Sequence, residues 1–311
     1  IPQDGRANVT VQQETLDLRI STLPTTYGEK VVVRLLRKTA ELSSLDGIGL
    51  RGENRERFLR LLDNATEGVI LMVGPTGSGK TSTLYAMIQR LKSEELNLVS
   101  LEDPVEYVYT PDKCVINQRE VGKDTRSFAA GLRAALREDP DVILVGEMRD
   151  LETIETALTA AETGHLVFGT VHTNSAADSI DRVVDVFPAE RQQQIRLQLS
   201  MSLKAVLSQQ LLPKVGGGRV LACEVMKTDG AIRNLIREGK TPQIINSIQT
   251  TGSIGNILME RALQNLLNAG TITRETYEQA LPGGTVQAKD MGMNGGPGQN
   301  QRRGFGQSLG F

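Results

Sequence analysis

The pattern of apolar and polar positions changes character near residue 69. Before it, VTVQQETLDLRIST alternates and EKVVVRLLRK is rich in β-branched residues, which predicts strands joined by a hairpin loop at PTTYGE. The polar segment 39–52 predicts a linker, and residues 53–63 predict a helix. The chain is therefore expected to open with a small β-rich unit that leads into a second domain.

After residue 69, short apolar runs alternate with helical patterns. VILMVG, NLVSLED, DVILVGE and HLVFGTVH read as strands, and STLYAMIQRL, SFAAGLRAALRE and LETIETALTAAET read as helices. This alternation predicts an α/β fold with a mostly parallel sheet. From about residue 187 the pattern reads as helical, including ERQQQIRLQLSMSLKAVLSQQLL. Residues 282–311 contain nine glycines and predict a disordered tail.

Composition narrows the function classes only slightly. The chain has 311 residues and a net charge of −2, so bulk charge gives no reason to expect nucleic acid or an anionic membrane as a partner. No apolar run reaches the roughly 18 to 20 residues of a membrane span. Two distant cysteines, Cys114 and Cys223, make neither a zinc site nor a disulfide framework, which favours a reducing cytoplasm. Because the chain begins at Ile1 and not at Met, we expect it to be part of a longer protein.

A glycine-rich loop carries the clearest chemical signal. GPTGSGKT matches G-x-x-x-x-G-K-[ST] between a predicted strand and a predicted helix, as a phosphate-binding loop requires. Lys80 is expected to reach the β- and γ-phosphates, and the Thr81 hydroxyl to ligate Mg²⁺. The residues expected to hold ATP are Gly74, Pro75, Thr76, Gly77, Ser78, Gly79, Lys80, Thr81 and Ser82.

Two strand ends after this loop carry carboxylates. Glu147 follows the predicted strand DVILV after one glycine. Glu102 comes directly after LVSL, and Asp103 and Glu106 come shortly after it. Parallel sheets bind ligands at the carboxyl ends of their strands, so Glu106 and Glu147 are candidates for the general base and the Mg²⁺-side carboxylate. Spacing alone does not decide which carboxylate takes which role.

The two histidines of the chain lie in GHLVFGTVHTN. Residues seven apart on a continuous strand point to opposite faces, so His165 and His172 are not expected to form a metal pair. His172 lies at the carboxyl end, where it can donate a hydrogen bond to a γ-phosphate. His165 lies at the strand start and is expected to be structural.

GPTGSGKT, LEDPVEYV, DVILVGEMRD and GHLVFGTVHTNSA, in this order, resemble the motifs of the type II secretion and type IV pilus ATPase superfamily over roughly residues 9–280. AIRNLIRE and GGGRVLACEVM look like its pilus-retraction branch, and two cysteines cannot supply the zinc site of the assembly and secretion branches. RISTLPTTYGEKVVVRLL looks more like those other branches.

The resemblance implies a fold, a site and an assembly. The fold is the remainder of a PAS-like N-terminal domain (1–38), a linker (39–52), a RecA-like P-loop ATPase domain with a helical C-terminal part (53–281) and the tail (282–311). Glu106 looks like the general base, Glu147 the Mg²⁺-side carboxylate and His172 a γ-phosphate sensor. Lys80 completes the catalytic set, and the position of the nucleotide-contacting arginines is matched by Arg19 and Arg34.

The implied function is a Mg²⁺-dependent, ATP-hydrolysing homohexamer that drives pilus retraction and twitching motility. Its implied partner is an inner-membrane pilus platform protein, contacted from the cytoplasmic face of the membrane, with no nucleic acid and no zinc. A pilus assembly or type II secretion ATPase is the alternative. A RecA-like nucleic-acid motor or a scaffold that binds ATP without hydrolysing it are two further hypotheses.

Overall fold

The structure is a computed structural model that describes residues 1–11, 14–37, 52–63, 65–91, 95–109, 111–252 and 255–281. The predicted linker lies outside the described residues except for its last position, and the predicted glycine-rich tail lies entirely outside them.

The N-terminal unit is a three-stranded antiparallel sheet of β1 (Gln3–Val11), β2 (Glu14–Thr25) and β3 (Gly28–Arg37). The predicted hairpin joins β2 to β3, and Gly28 there has φ 123°, in the left-handed region that favours glycine. Arg19 on β2 is paired in register with Arg34 on β3. Side chains directly opposite on neighbouring strands share a face, so both arginines belong to one side of this sheet.

A seven-stranded sheet forms the centre of the second unit, in the order β10-β9-β4-β8-β7-β5-β6. All neighbouring pairs are parallel except β9 with β10. The strands are β4 (Gly68–Val73), β5 (Asn97–Glu102), β6 (Val115–Glu120), β7 (Val142–Val145), β8 (Leu166–Val171), β9 (Leu203–Pro213) and β10 (Arg219–Lys227).

Helices cover both faces of this sheet. They are α1 (Gly52–Asp63), α2 (Lys80–Leu91), α3 (Phe128–Ala135), α4 (Leu151–Glu162), α5 (Ala176–Asp185), α6 (Ala189–Ser202), α7 (Gly230–Arg237), α8 (Ile244–Thr250), α9 (Met259–Asn268) and α10 (Arg274–Ala280), with a short 3-10 helix at Thr241–Gln243. Within the described part of the chain, none of the helices has the length and apolar content to cross a membrane.

The core explains why the central strands read as unbroken apolar runs. Every residue of β4 is buried; Val69, Leu71 and Val73 face one hydrophobic cluster, whereas Ile70 and Met72 face another on the opposite side. A strand covered by helices on both faces has no solvent side and therefore no polar alternation. The strands and helices predicted between residues 69 and 172 are confirmed as β4, α2, β5, α3, β7, α4 and β8.

The prediction that the chain is helical from residue 187 onward is wrong for two segments. Helix α6 ends at Ser202, LKAVLSQQLLP then forms β9, and RVLACEVMK forms β10. β9 is buried along most of its length between β4 and β10, so its sequence has the unbroken apolar character that a buried helix also has. The C-terminal part is therefore a β-hairpin plus helices. The edge strand β6 was also not predicted, because VINQRE is short and largely polar.

We expect Phe168→Ala to lower the free energy of unfolding by about 3–5 kcal/mol, because Phe168 is fully buried in the centre of the sheet and its loss leaves a cavity. Val115→Ala on the edge strand, where the side chain is 59% exposed, should cost less than about 1 kcal/mol. Chemical denaturation of both variants measures the difference, and equal losses would contradict this core.

Candidate functional site

The sheet brings the predicted residues to one edge. Val73 at the end of β4 pairs with Val171 of β8, and Val145 at the end of β7 pairs with Leu101 of β5. Because these parallel strands end side by side, the segments that follow them converge. They line a cleft of about 600 Å³ together with the P-loop; its lining includes Thr76, Gly77, Ser78, Gly79, Lys80, Thr81, Ser82, Glu106, Glu147 and His172.

The loop after β4 has the shape of a phosphate cradle. Gly74, Gly77 and Gly79 have φ values of 146°, 81° and 91°, which a residue with a Cβ rarely adopts. A Cβ on Gly74 would lie 2.5 Å from the Gln209 carbonyl oxygen. Helix α2 begins at Lys80, so the loop also meets the positive end of a helix dipole.

Two side-chain donors of this loop are placed to turn to a bound anion. The Ser78 hydroxyl is buried and has no hydrogen-bond partner. The Lys80 ammonium donates to the loop's own carbonyls, to Gly74 O at 2.6 Å and Pro75 O at 3.2 Å. Burial lowers the pKa of Lys80, and the nearby Glu147 carboxylate opposes that shift. An anion with several oxygens would satisfy both donors, so the loop fits a phosphate group.

His172 bridges the phosphate loop and the end of β7. Its Nε2 lies 3.1 Å from Glu147 Oε1, and its Nδ1 lies 3.5 Å from Lys80 Nζ. An ammonium only donates, so in this arrangement Nδ1 accepts and Nε2 carries the proton that it donates to Glu147. Burial and the Lys80 charge lower the pKa of His172, which favours the neutral ring. Arg149, which lies outside the predicted site residues, also forms an ion pair with Glu147.

Glu106 is paired across the two units of the chain. Arg19 Nη1 donates to Glu106 Oε1 at 3.0 Å, and Arg19 Nη2 lies 3.0 Å from Oε2. This bidentate geometry is the strong form of an arginine–carboxylate pair. Neither of the two predicted nucleotide-contacting arginines lines the phosphate cleft: Arg19 and the exposed Arg34 line a neighbouring cleft of about 740 Å³ with Asp103.

Glu102 at the end of β5 is a buried carboxylate beside this site. It accepts hydrogen bonds from Ser100 Oγ at 2.7 Å and Gln118 Nε2 at 3.0 Å. Burial raises its pKa, and these hydrogen bonds counteract the shift. Gln118 lies on β6, which no apolar pattern in the sequence predicts. Arg219 lines the cleft and lies on β10, in the stretch whose pattern predicts helix.

The second histidine lies at the opposite end of β8. His165 Nδ1 is 2.9 Å from Ala160 O and 3.2 Å from Thr163 Oγ1, which ties the strand start to the end of α4. The two cysteines are separate buried thiols. Across the described ranges, no three His, Cys, Asp or Glu side chains are grouped so as to hold a metal ion. For Mg²⁺, the oxygen donors that fit are the Thr81 hydroxyl and the Glu147 carboxylate, both on the phosphate cleft.

A parallel sheet with a glycine-rich loop between β4 and α2, and with β8 between β4 and β7, defines a P-loop nucleotide-binding protein. The model of the family described as type II/IV secretion system protein matches residues 1–284, and the chain belongs to that family.

Individual relatives come from two kinds of machinery. The chain is 56% identical to the type IV pilus retraction ATPase PilT of Pseudomonas aeruginosa over 72% of this chain and 65% of that protein. It is 44% identical to the type II secretion system ATPase E of Vibrio cholerae over 68% of this chain and 40% of that protein. Thus the matched segment spans less than two thirds of the length of either relative.

A solved structure shows the same fold. The crystal structure of the pilus retraction motor PilT with bound ADP superposes with a TM-score of 0.79 at 46% identity and covers 90% of this chain and 78% of that one. The mixed, mostly parallel α/β architecture is therefore shared with a PilT-type ATPase.

We expect Lys80→Met to raise the Kd for ATP by about ten- to a hundredfold, since it removes a hydrogen bond between charged groups worth about 1.5–3 kcal/mol. Lys204→Met is the matched control, because Lys204 lies at the other end of the sheet and pairs with Glu67 at 3.7 Å. Titration with a fluorescent ATP analogue measures both, and equal affinities for the two variants would contradict the assignment of this loop.

Proposed function

We propose that this chain hydrolyses ATP in the cleft between the P-loop and the Glu106 segment. The proposal rests on the convergence, in one cleft, of two phosphate-loop donors with carboxylates on neighbouring strand ends: the Ser78 hydroxyl, which has no hydrogen-bond partner, and the Lys80 ammonium, which donates to the loop's own carbonyls. The phosphate donors hold the transferring group, and a carboxylate on the far side of the cleft serves the attacking water.

Glu106 is the proposed general base and Glu147 the proposed Mg²⁺-side carboxylate, with Thr81 as the other protein ligand. Mg²⁺, when bound, neutralises charge on the β- and γ-phosphate oxygens. His172 supports the Glu147 role, because its Nε2 lies 3.1 Å from that carboxylate and holds it at the cleft. The same imidazole is the proposed γ-phosphate sensor, since it lies against Lys80 of the phosphate loop and its Nε2–H could exchange the Glu147 oxygen for a phosphate oxygen.

Arg19 is proposed to alternate between two partners. In the described conformation it is bound to Glu106 through Nη1 and Nη2 of its guanidinium. Movement of Arg19 to a γ-phosphate would stabilise charge in the transition state and leave the Glu106 oxygens to accept from water. Arg34, its register partner, is proposed as the second such arginine. Rotation of the N-terminal sheet relative to the P-loop unit is the corresponding proposed conformational step.

We propose that the chain has four parts: the remainder of a PAS-like domain at 1–38, a linker at 39–52, a RecA-like domain at 53–281 and a tail at 282–311 that lies outside the described residues. The β-sheet nature of the N-terminal unit supports the first of these. The seven-stranded, mostly parallel sheet formed by strands within 68–227 supports the RecA-like domain.

We further propose that the chain works as a homohexameric motor of pilus retraction and twitching motility, at the cytoplasmic face of the inner membrane and against a pilus platform protein. The similarity to PilT supports this branch. So does AIRNLIRE, which forms most of α7, with Ile232 and Ile236 buried and Arg233 and Arg237 exposed. Pilus assembly or type II secretion is the second candidate, favoured by the similarity to the Vibrio cholerae ATPase.

Glu106→Gln is expected to lower kcat by about 10²- to 10⁴-fold, the usual contribution of a general base, with little change in ATP affinity. Asp112→Asn, an exposed loop carboxylate nearby, is the matched control and should retain wild-type turnover. Phosphate-release assays at saturating Mg²⁺ and ATP measure both. Normal turnover by the Glu106 variant would move the base assignment elsewhere.

The retraction role makes a separate prediction in cells. A strain that lacks the gene should carry an excess of pili that do not retract, because assembly continues without its opposing motor. Electron microscopy of the surface and a twitching assay on agar measure this, with the intact gene restored as control. A bald, pilus-free strain would instead identify an assembly ATPase.

A further inference from the structure

Two buried polar side chains of the C-terminal hairpin face the segment that follows β8. Ser208 on β9 and Glu224 on β10 are directly opposite each other in the antiparallel register. Ser208 Oγ donates to Asn174 O at 2.8 Å, and the Ala176 N–H donates to Glu224 Oε1 at 2.8 Å. The hairpin thus supplies one donor and one acceptor to a three-residue stretch.

The second oxygen of Glu224 is also engaged. The Met259 N–H, at the first position of α9, donates to Glu224 Oε2 at 3.2 Å. Leu258, the residue at the N-cap of α9, has no side chain able to cap this helix. One carboxylate therefore closes the N-termini of α5 and α9, where the helix dipoles favour negative charge.

A carboxylate with 6% exposure is costly to keep buried. Burial raises the pKa of Glu224, and the hydrogen bonds from Ala176 and Met259 offset part of that shift. A well-packed apolar residue at this position of β10 would avoid the desolvation cost. Packing of the sheet alone therefore does not explain why a glutamate occupies position 224.

The stretch that these contacts hold begins at His172. β8 ends at Val171, the Thr173 hydroxyl lies 2.5 Å from Ser179 Oγ, and Asn174 and Ala176 are held by the hairpin. With the backbone held on both sides, the Cα of His172 stays where its imidazole reaches both Lys80 and Glu147. A displacement of the stretch by a fraction of an ångström would lengthen both imidazole contacts, which are 3.1 and 3.5 Å.

We propose that Ser208 and Glu224 are positioning residues for His172: they hold its imidazole in register with Lys80 and Glu147, and Glu224 couples that position to helix α9. The part of this inference that concerns turnover rests on the proposed ATP hydrolysis. The part that concerns the geometry of His172 does not. If Glu224 had only a structural role, its replacement would lower the stability of the protein and leave His172 in place.

The histidine content of the chain makes a direct test available. Protein labelled with ¹³C at the histidine ε1 carbon gives two imidazole signals, because the chain has only His165 and His172. Glu224→Gln retains one acceptor oxygen for two N–H donors, so it should shift the His172 signal and leave the His165 signal unchanged. Leu263→Val in the buried face of α9 is the control for general destabilisation and should move neither signal.

Turnover provides the second readout. Glu224→Gln should lower kcat about tenfold with KM for ATP within about twofold, the pattern of a misplaced group that acts after binding. Ser208→Ala, which is sterically tolerated at a fully buried serine, should shift the same His172 signal and lower kcat in the same direction. Ser208→Ala therefore tests the same proposal if Glu224→Gln does not fold.

An unmoved His172 signal in the folded variants, with only a lowered Tm, would overturn the positioning role. A wild-type protein that hydrolyses no ATP would instead overturn the proposed function, and the imidazole signals would still decide the geometric claim. Glu224→Asp, one methylene shorter, should give an intermediate shift, because it retains the charge and loses reach to one of the two helices.

Discussion

The site depends on the register of four parallel strands. β4, β8, β7 and β5 pair without interruption and end at one edge, which brings the P-loop, His172, Glu147 and Glu106 onto one cleft. A slip of one residue would turn the whole strand over and exchange its two faces. Both faces are packed against helices, so the core fixes the register and the register fixes the chemistry.

The charges at this edge are paired with one another. Lys80 donates a hydrogen bond to a loop carbonyl. His172 contacts both Lys80 and Glu147, and Arg19 forms an ion pair with Glu106. Charged groups in a cleft need such partners, because leaving them desolvated and unpaired is costly. In the proposed mechanism a triphosphate would exchange these partners for its own oxygens, which would couple binding to movement of the N-terminal sheet through the same few side chains.

The parts predictable from the sequence were those encoded locally. The P-loop and its strand and helix follow from the 24 adjacent residues 68–91, and β8 follows from an apolar run bounded by glycine and histidine. β9 was not predictable by periodicity, since a strand buried on both faces resembles a buried helix. The Arg19–Glu106 pair spans 87 positions, and no local pattern encodes a contact of that separation. Glu224 carried one weak signal, a single acid inside the apolar run ACEVM.

The central claim is that Glu106, paired with Arg19 in this conformation, becomes the base once ATP occupies the P-loop. A crystal structure with Mg²⁺ and a non-hydrolysable ATP analogue tests it most directly. If Glu106 is the base, Lys80 Nζ should move from Gly74 O to the β- and γ-phosphates, the Arg19 guanidinium should leave Glu106, and a water should lie between Glu106 and the γ-phosphorus. An analogue seated in the P-loop with the Arg19–Glu106 pair intact and no water beside Glu106 would contradict it.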